Sequence, residues 1–329
     1  MSETSTQPLD RSGFFALTDR HRQIIRLDDL ALVRVTGKDA VTFLHGQFTN
    51  AVKGLGTRTV AAGYCSPKGR LLATFRLWME EDAVMMMLPK AVEPALLKRL
   101  RLYVLRADVT FENITASRTV FGLLNTAQSA LKNVGLELPA VGETFRRDGS
   151  LVLGLSATGA IDGLIEAAPR AIVVTDNADL FPSEAIAPNS ALWWLGNIAA
   201  GVATVWPATC EIFVPQAVNY ELTGGVVFNK GCYPGQEVVS RVQHIGDSPR
   251  RAFIGWAEGD RDVLPGETIW SGGREVGFAI EAVRVDDKTL VLFSAALAGA
   301  SEGFSLAPDG SKISLLPLPY EIRNILNHA

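Results

Sequence analysis

The sequence predicts an α+β body over residues 1–247 followed by a small β-barrel over residues 248–329. Three observations carry that prediction. Strand-like and helix-like segments alternate through the longer N-terminal part, with neither a G-x-G-x-x-G nor a Walker loop to mark a nucleotide-binding doubly wound sheet. After Pro249 the texture changes to short strands punctuated by Pro265-Gly266, Ser271-Gly272-Gly273, Asp286-Asp287 and Pro308-Asp309-Gly310, the spacing of a small barrel. The change falls at Gly246–Pro249, and 329 residues are enough chain for about two domains.

The elements follow in order. Ile24–Val35 is apolar and β-rich and ends at the Gly37-Lys38-Asp39-Ala40 turn, after which Ala40–Phe48 forms a short helix. Ala61–Cys65 and Leu71–Met79 make a hairpin around Ser66-Pro67-Lys68-Gly69, and Val84–Leu88 is a further strand. Glu93–Val104 has helical spacing, with Lys98, Arg99 and Arg101 on its wet side as a solvated face or an anion site. Val120–Leu124, Leu151–Leu155 and Ala171–Thr175 are strands, with a helix over Ala127–Val134. Ala185–Cys210 carries no charge and is long enough on paper to span a bilayer. Pro188, Asn189, Gly196, Asn197, Gly201 and Pro207 interrupt it, which leaves a buried core helix over about Ala191–Ala200, with Ser190 as N-cap and Gly201 as the stop. Beyond the boundary the strands are Arg251–Ala257, Thr268–Trp270, Glu275–Val283, Thr289–Ser294 and Lys312–Leu316.

Composition removes several function classes. Hydrophobic residues make up 47% and charged residues 20%, a globular balance. A formal charge of −4 argues against a polyanion trap, so neither direct nucleic-acid binding nor a polybasic membrane patch is expected. Cys65, Cys210 and Cys232 stand far apart with no C-x-x-C pair, and His21, His45, His244 and His328 are scattered. No disulfide scaffold and no metal site of this chain's own residues is therefore expected. Met1–Ser12 lacks an apolar stretch of signal-peptide type, so a cytoplasmic protein is expected.

The densest local signal is Val226-Val227-Phe228-Asn229-Lys230-Gly231-Cys232-Tyr233-Pro234-Gly235-Gln236-Glu237. It predicts strand, tight loop and helix, with Pro234 at the first helical position. Cys232 would then see the helix N-terminus and Lys230, both of which favour thiolate, and these two residues are the candidates for chemistry. A small buried hydrophobe is the other reading of a lone cysteine. Glu237 and Arg241 stand i,i+4, which a surface ion pair explains and which leaves a ligand role open. A cysteine hydrolase would need a base, and His244 lies at or beyond the far end of the same helix.

The block K-G-C-Y-x-G-Q-E resembles the signature of the YgfZ-type folate-binding proteins, relatives of the glycine-cleavage T-protein. Val35-Thr36-Gly37-Lys38-Asp39-Ala40, Phe43-Leu44-His45-Gly46-Gln47-Phe48-Thr49, Cys65-Ser66-Pro67-Lys68-Gly69-Arg70, Phe213-Val214-Pro215-Gln216 with Asn219, and Pro317-Leu318-Pro319-Tyr320 sit where that family has similar blocks. The resemblance implies a T-protein-like folate-binding body with a central cavity and a C-terminal β-barrel. It also implies tetrahydrofolate or a one-carbon derivative as ligand, and iron–sulfur client enzymes or cluster-assembly proteins as partners, a tRNA-thiolating enzyme among them. Trp193 resembles the family's tryptophan on the core helix. Gln216, Asn219, Gln236, Glu237 and Arg241 are the further candidates for folate contacts. Trp194 should face elsewhere, because helix neighbours diverge by about 100°, and core packing is the alternative for either ring. A monomer is expected.

Three departures bear on ligand contacts and activity. Asn50 stands where an Asp is common, and Ile198-Ala199-Ala200-Gly201 lacks an acid before its glycine. T-proteins carry an acidic pair in the second hairpin strand, whereas Gly69-Arg70-Leu71-Leu72-Ala73-Thr74 has none, which leaves aminomethyl transfer without an obvious general base. The expected function is a folate-dependent accessory of iron–sulfur enzymes, with aminomethyltransferase as the alternative. Classical turnover is not expected, and any activity would be a one-carbon or thiol-redox step.

Overall fold

The computed structural model describes residues 13–15, 21–161, 163–245, 248–259 and 261–322. In chain order the strands and helices of the body are β1 (Gly13–Phe15), β2 (Ile24–Arg26), β3 (Leu30–Thr36), α1 (Ala40–His45), β4 (Val60–Cys65), β5 (Leu71–Glu80), β6 (Ala83–Pro89), α2 (Glu93–Val104), β7 (Thr110–Asn113), β8 (Thr119–Leu123), α3 (Ala127–Asn133), β9 (Thr144–Arg147), β10 (Ser150–Leu155), β11 (Arg170–Thr175), α4 (Ala191–Ala199) and α5 (Gln236–Ile245). The C-terminal part adds β12 (Arg250–Glu258), β13 (Thr268–Ser271), β14 (Arg274–Val285), β15 (Lys288–Ala296) and β16 (Ser314–Leu316).

The strands form three sheets, in the orders β4-β5-β6-β3-β7, β2-β8-β11-β10-β9 and β1-β14-β15-β12-β16, with β13 also paired to β14. The apolar run expected as one strand over Ile24–Val35 is broken in two. Leu30 N–H bonds back to Leu27 C=O around Asp28-Asp29, so β2 joins the second sheet and β3 the first. This turn places the two sheets against each other from a single stretch of sequence.

Helix α4 sits where the sheets converge, with every residue buried. Its core joins Leu32 and Trp78 of the first sheet to Leu153 and Val174 of the second and Ile280 and Leu292 of the third. The stop at Gly201 is as expected, in the left-handed region at φ +62. Ser190 makes no side-chain cap. Asn189 Oδ1 accepts the Ala191 N–H at 2.9 Å instead, and Ser190 Oγ bonds Asp29 Oδ2 at 3.1 Å, which ties the helix start to the β2–β3 turn. Among the described residues no helix is long and apolar enough to cross a membrane.

The C-terminal strands lie where the turn residues placed them, but the sheet is open, with edges at β1 and β16, rather than a closed barrel. One edge of β14 is shared between β13 and β1, the latter running parallel along Val283–Val285. A segment from the far N-terminal end of the chain thus occupies the place a closing strand would need. On α2, Lys98 and Arg101 are exposed as expected, while Arg99 turns onto Tyr64. Gly246 and Asp247 of the expected boundary, Met1–Ser12 and His328 lie outside the described residues.

Candidate functional site

Blocks far apart in sequence meet around Cys232. Lys230 Nζ donates to the carbonyls of His45 at 2.6 Å and Phe48 at 2.7 Å, just where α1 ends. Gly235, at φ +78, packs backbone to backbone on the β4–β5 turn, where an added Cβ would stand 2.3 Å from Ser66 O and 2.7 Å from Gly69 Cα. Tyr233 is buried, with Lys230 Nζ 4.9 Å from its ring centroid. Between these two anchors Cys232 is left exposed.

The local structure differs from expectation at two points. Val226–Phe228 forms no strand, and Val227 contributes one bond, from its N–H to Thr49 O at 3.0 Å. Pro234 lies in a turn, and α5 starts at Gln236, whose Oε1 accepts the Tyr233 N–H at 3.1 Å. Cys232 is therefore two residues further from the helix N-terminus than the sequence suggested, and helix-dipole effects fade within the first turn. Lys230 is the nearby charge that remains. Burial pushes its pKa down to about 8, against the opposing pull of Cys232.

His45 belongs to the same site, and sequence reasoning did not place it there. Its Nδ1 accepts the N–H groups of Val52 at 3.2 Å and Lys53 at 3.3 Å, which puts the proton of the neutral ring on Nε2. Burial, then Lys230 and Lys53, lower its pKa. Its Nε2 lies beside Gly231, 3.9 Å from where a Cβ would be. Of the other thiols, Cys65 is buried and pushed up to about 12, while Cys210 is exposed, as Cys232 is, and is raised by partial burial and by Glu211. His244 instead packs against Phe228, with ring centroids 6.0 Å apart.

Of the residues read as folate contacts, Trp193 lines the central cavity and the others do not. Gln216 is buried and donates from Nε2 to Val239 O at 2.9 Å, which holds α5 to the body. Asn219 clamps β12, donating to Ala252 O at 3.1 Å and accepting the Ala252 N–H at 3.3 Å. Gln236 caps α5, and Glu237 pairs with Arg241 on its exposed face at 2.9 Å. Asn50, at a position where an acid is common in the resembling family, uses an amide's donor capacity. Its Nδ2 bonds Ala61 O at 2.8 Å and Gly224 O at 2.7 Å, which a carboxylate could not do.

The cavity lies between β5, β11 and α4, walled by Trp193, Trp194 and Tyr220 and edged by Thr74, Asn197, Arg76 and Arg170. The backbone of β8 at Gly122 lies against the Trp193 ring, where a Cβ would be 2.3 Å from Cε3, and the Arg170 guanidinium stands over the ring 5.6 Å from its centroid. Trp194 also borders the cavity, contrary to the expectation that it faces elsewhere, because the space spans more than one helix face. Its Nε1 is fixed on Asp29 Oδ2 at 2.8 Å, and its ring stands edge-on to Trp206 with centroids 5.0 Å apart. Tyr220 joins the two regions, since its hydroxyl donates to Ala62 O at 2.9 Å in the strand that Asn50 ties to Gly224. Among the described residues no cluster of His, Cys, Asp or Glu could hold a metal ion.

No family model matches the chain. It is 30% identical over 317 residues to tRNA-modifying protein YgfZ of Enterobacter sp. (strain 638), covering 91% of this chain and 93% of that protein. It is 28% identical over 314 residues to tRNA-modifying protein YgfZ of Escherichia coli O157:H7, with the same coverage. Among solved structures it resembles the glycine cleavage system aminomethyltransferase T from Bartonella henselae, with a TM-score of 0.64 and 14% identity over 92% of this chain and 88% of that one. The last likeness is one of fold.

Proposed function

The chain belongs to the YgfZ family, and from that premise we propose that it is a tetrahydrofolate-binding accessory protein that supports iron–sulfur enzymes, tRNA-modifying ones among them, through the thiol of Cys232. The observation that carries the proposal is the division of labour in the fold. A walled cavity suited to a flat ligand and an exposed thiol on a clamped loop are joined through Tyr220 and β4. When bound, a reduced folate supplies a one-carbon carrier and a reducing pteridine. Trp193 and Tyr220 supply aromatic walls for it, Asn197 an amide and Thr74 a hydroxyl, and these residue types fit a flat ring with hydrogen-bonding edges. Lys230 sets a cation beside Cys232, and with a pKa of about 8 it is able to exchange a proton near neutral pH.

Two tests follow. Competitive alkylation near pH 7, read by mass spectrometry, should label Cys232 ahead of Cys210, with Cys65 protected until the chain unfolds. Slower labelling of Cys232 than of Cys210 would remove it as the working thiol. Aminomethyl transfer, the alternative activity, should be absent. None of the described residues around the cavity is a carboxylate, so nothing there manages the proton of the transfer. Measurable turnover of an aminomethyl-lipoyl donor with tetrahydrofolate would make transfer the function.

A further inference from the structure

Helix α2 buries Leu96, Leu97 and Leu100 in the core of the first sheet. That face satisfies the core, and the remainder of such a helix is ordinarily polar. Here it is not. Leu102, Tyr103 and Leu105 stand 69%, 48% and 88% exposed, a run of bulky apolar side chains at the end of the helix. Leu105 bounds the helix at φ +46, a backbone setting that glycine or asparagine adopts more readily than leucine. Neither the core nor the turn therefore calls for a leucine there. The segment is also basic, with Lys90, Lys98, Arg99, Arg101 and Arg106 against Glu93 alone between residues 90 and 106, in a chain of formal charge −4. Lys98, Arg101 and Arg106 are exposed, and none of them pairs with an acid among the described residues.

The same helix walls one side of an open groove. Leu96 and Leu102 of α2, Leu72 of β5 and Trp206 line it with apolar surface, Lys98 and Arg99 add cations, and Cys210 also lines it. Its volume is about 330 Å³. A cavity of ~150 Å³ holds one benzene, so the groove takes roughly two bulky side chains. Contiguous apolar surface rimmed by polar groups marks an interaction site. A lipid surface would meet the leucines and the cations but leave the recessed groove empty, and RNA phosphates would leave the leucines without a partner. Carboxylates complement the cations, and apolar side chains complement the groove. We propose that α2 and this groove form a docking site for an acidic segment of a partner protein, whose bulky side chains enter the groove while its carboxylates meet Lys98, Arg99, Arg101 and Arg106. The site needs neither a folate in the central cavity nor the Cys232 thiol.

Two synthetic peptides of about twelve residues test it, both with leucine and phenylalanine at i, i+3, i+4 and i+7, one with glutamate and one with lysine at the remaining positions. The glutamate peptide should bind wild type, weaken as salt rises, and slow alkylation of Cys210 but not of Cys232. Its affinity should fall roughly 10-fold or more when Lys98→Glu and Arg106→Glu are combined. It should fall roughly 10-fold in Leu105→Asn, a variant that should melt no lower than wild type because asparagine suits the backbone there. In cells, a photocrosslinking residue in place of Leu102 should capture protein segments rich in Asp and Glu, and capture should fade when Lys98→Glu and Arg106→Glu are added. The docking site is overturned if the glutamate peptide fails to bind wild type or binds no better than the lysine peptide, or if Leu105→Asn melts lower. It is equally overturned if the crosslinker captures only RNA, lipid or a second copy of this chain, or if bulk tRNA or phosphatidylglycerol vesicles bind these residues more tightly than the glutamate peptide does.

Discussion

Cys232→Ala is expected to eliminate the proposed support of client enzymes while leaving the fold and the ligand affinity in place. The separation follows from position. Cys232 is exposed and is not part of the cavity wall. The loop around it is held by the bonds of Lys230 to His45 and Phe48, by buried Tyr233 and by the Gly235 contact with the β4–β5 turn, none of which uses the sulfur. Exposed substitutions of this kind stay within about 0.5 kcal/mol. Tetrahydrofolate affinity should therefore remain within about twofold of wild type. In a strain lacking the protein, the variant should restore neither iron–sulfur enzyme activity nor tRNA thiolation. Full restoration by Cys232→Ala would sink the thiol proposal, and a joint loss of affinity would mean that loop and cavity are one site. Lys230→Met is the useful companion. It removes both carbonyl bonds along with the charge, so it should loosen the loop as well as slow alkylation of Cys232.

The sequence exposed the local elements and concealed what depends on long-range packing. The helix at Ala191–Ala199 was legible because an uncharged run cut by Pro188, Gly201 and Pro207 has one helical stretch left in it. The strands after Pro249 were legible because Gly, Pro and Asp pairs mark their ends, and the structure moves their bounds by only a few residues. The parallel pairing of Gly13–Phe15 with β14 was not, since a three-residue strand has no periodicity and its partner lies at the other end of the chain. Nor were the contacts of Gly235 with Ser66 and of Lys230 with the carbonyls of His45 and Phe48, which join segments far apart in sequence. The cavity arginines show a different failure. An arginine within Leu71–Met79 passes for an outward-facing strand residue, and Arg170 stands just before the apolar run that was read as a strand. The usable signal was a lone cation in or beside an apolar strand. That signal is weak alone but sharper beside the missing acids at Leu71–Thr74 and Ile198–Gly201.

Trp193→Ala is expected to weaken tetrahydrofolate binding by roughly five- to a hundred-fold, the effect of removing an aromatic partner worth ~1–3 kcal/mol to a stacked base. The site adds a cost of its own. Trp193 is 3% exposed, lies against the backbone at Gly122 and carries Arg170 over its ring, so truncation opens a core void and releases a guanidinium. Large-to-small substitutions of buried tryptophan cost about 3–5 kcal/mol, and Trp193→Leu, which keeps more of the volume, controls for that loss. Trp194→Ala should act in the opposite proportion. It forfeits the bond to Asp29 and the edge contact with Trp206, so its melting temperature should fall with a smaller loss of affinity. Calorimetry with tetrahydrofolate on the three variants, each checked for a cooperative melt, separates the two rings. Unchanged affinity in a well-folded Trp193→Leu would take this ring out of the ligand site and leave it a core residue. Absence of binding to the wild-type protein would remove folate as the ligand.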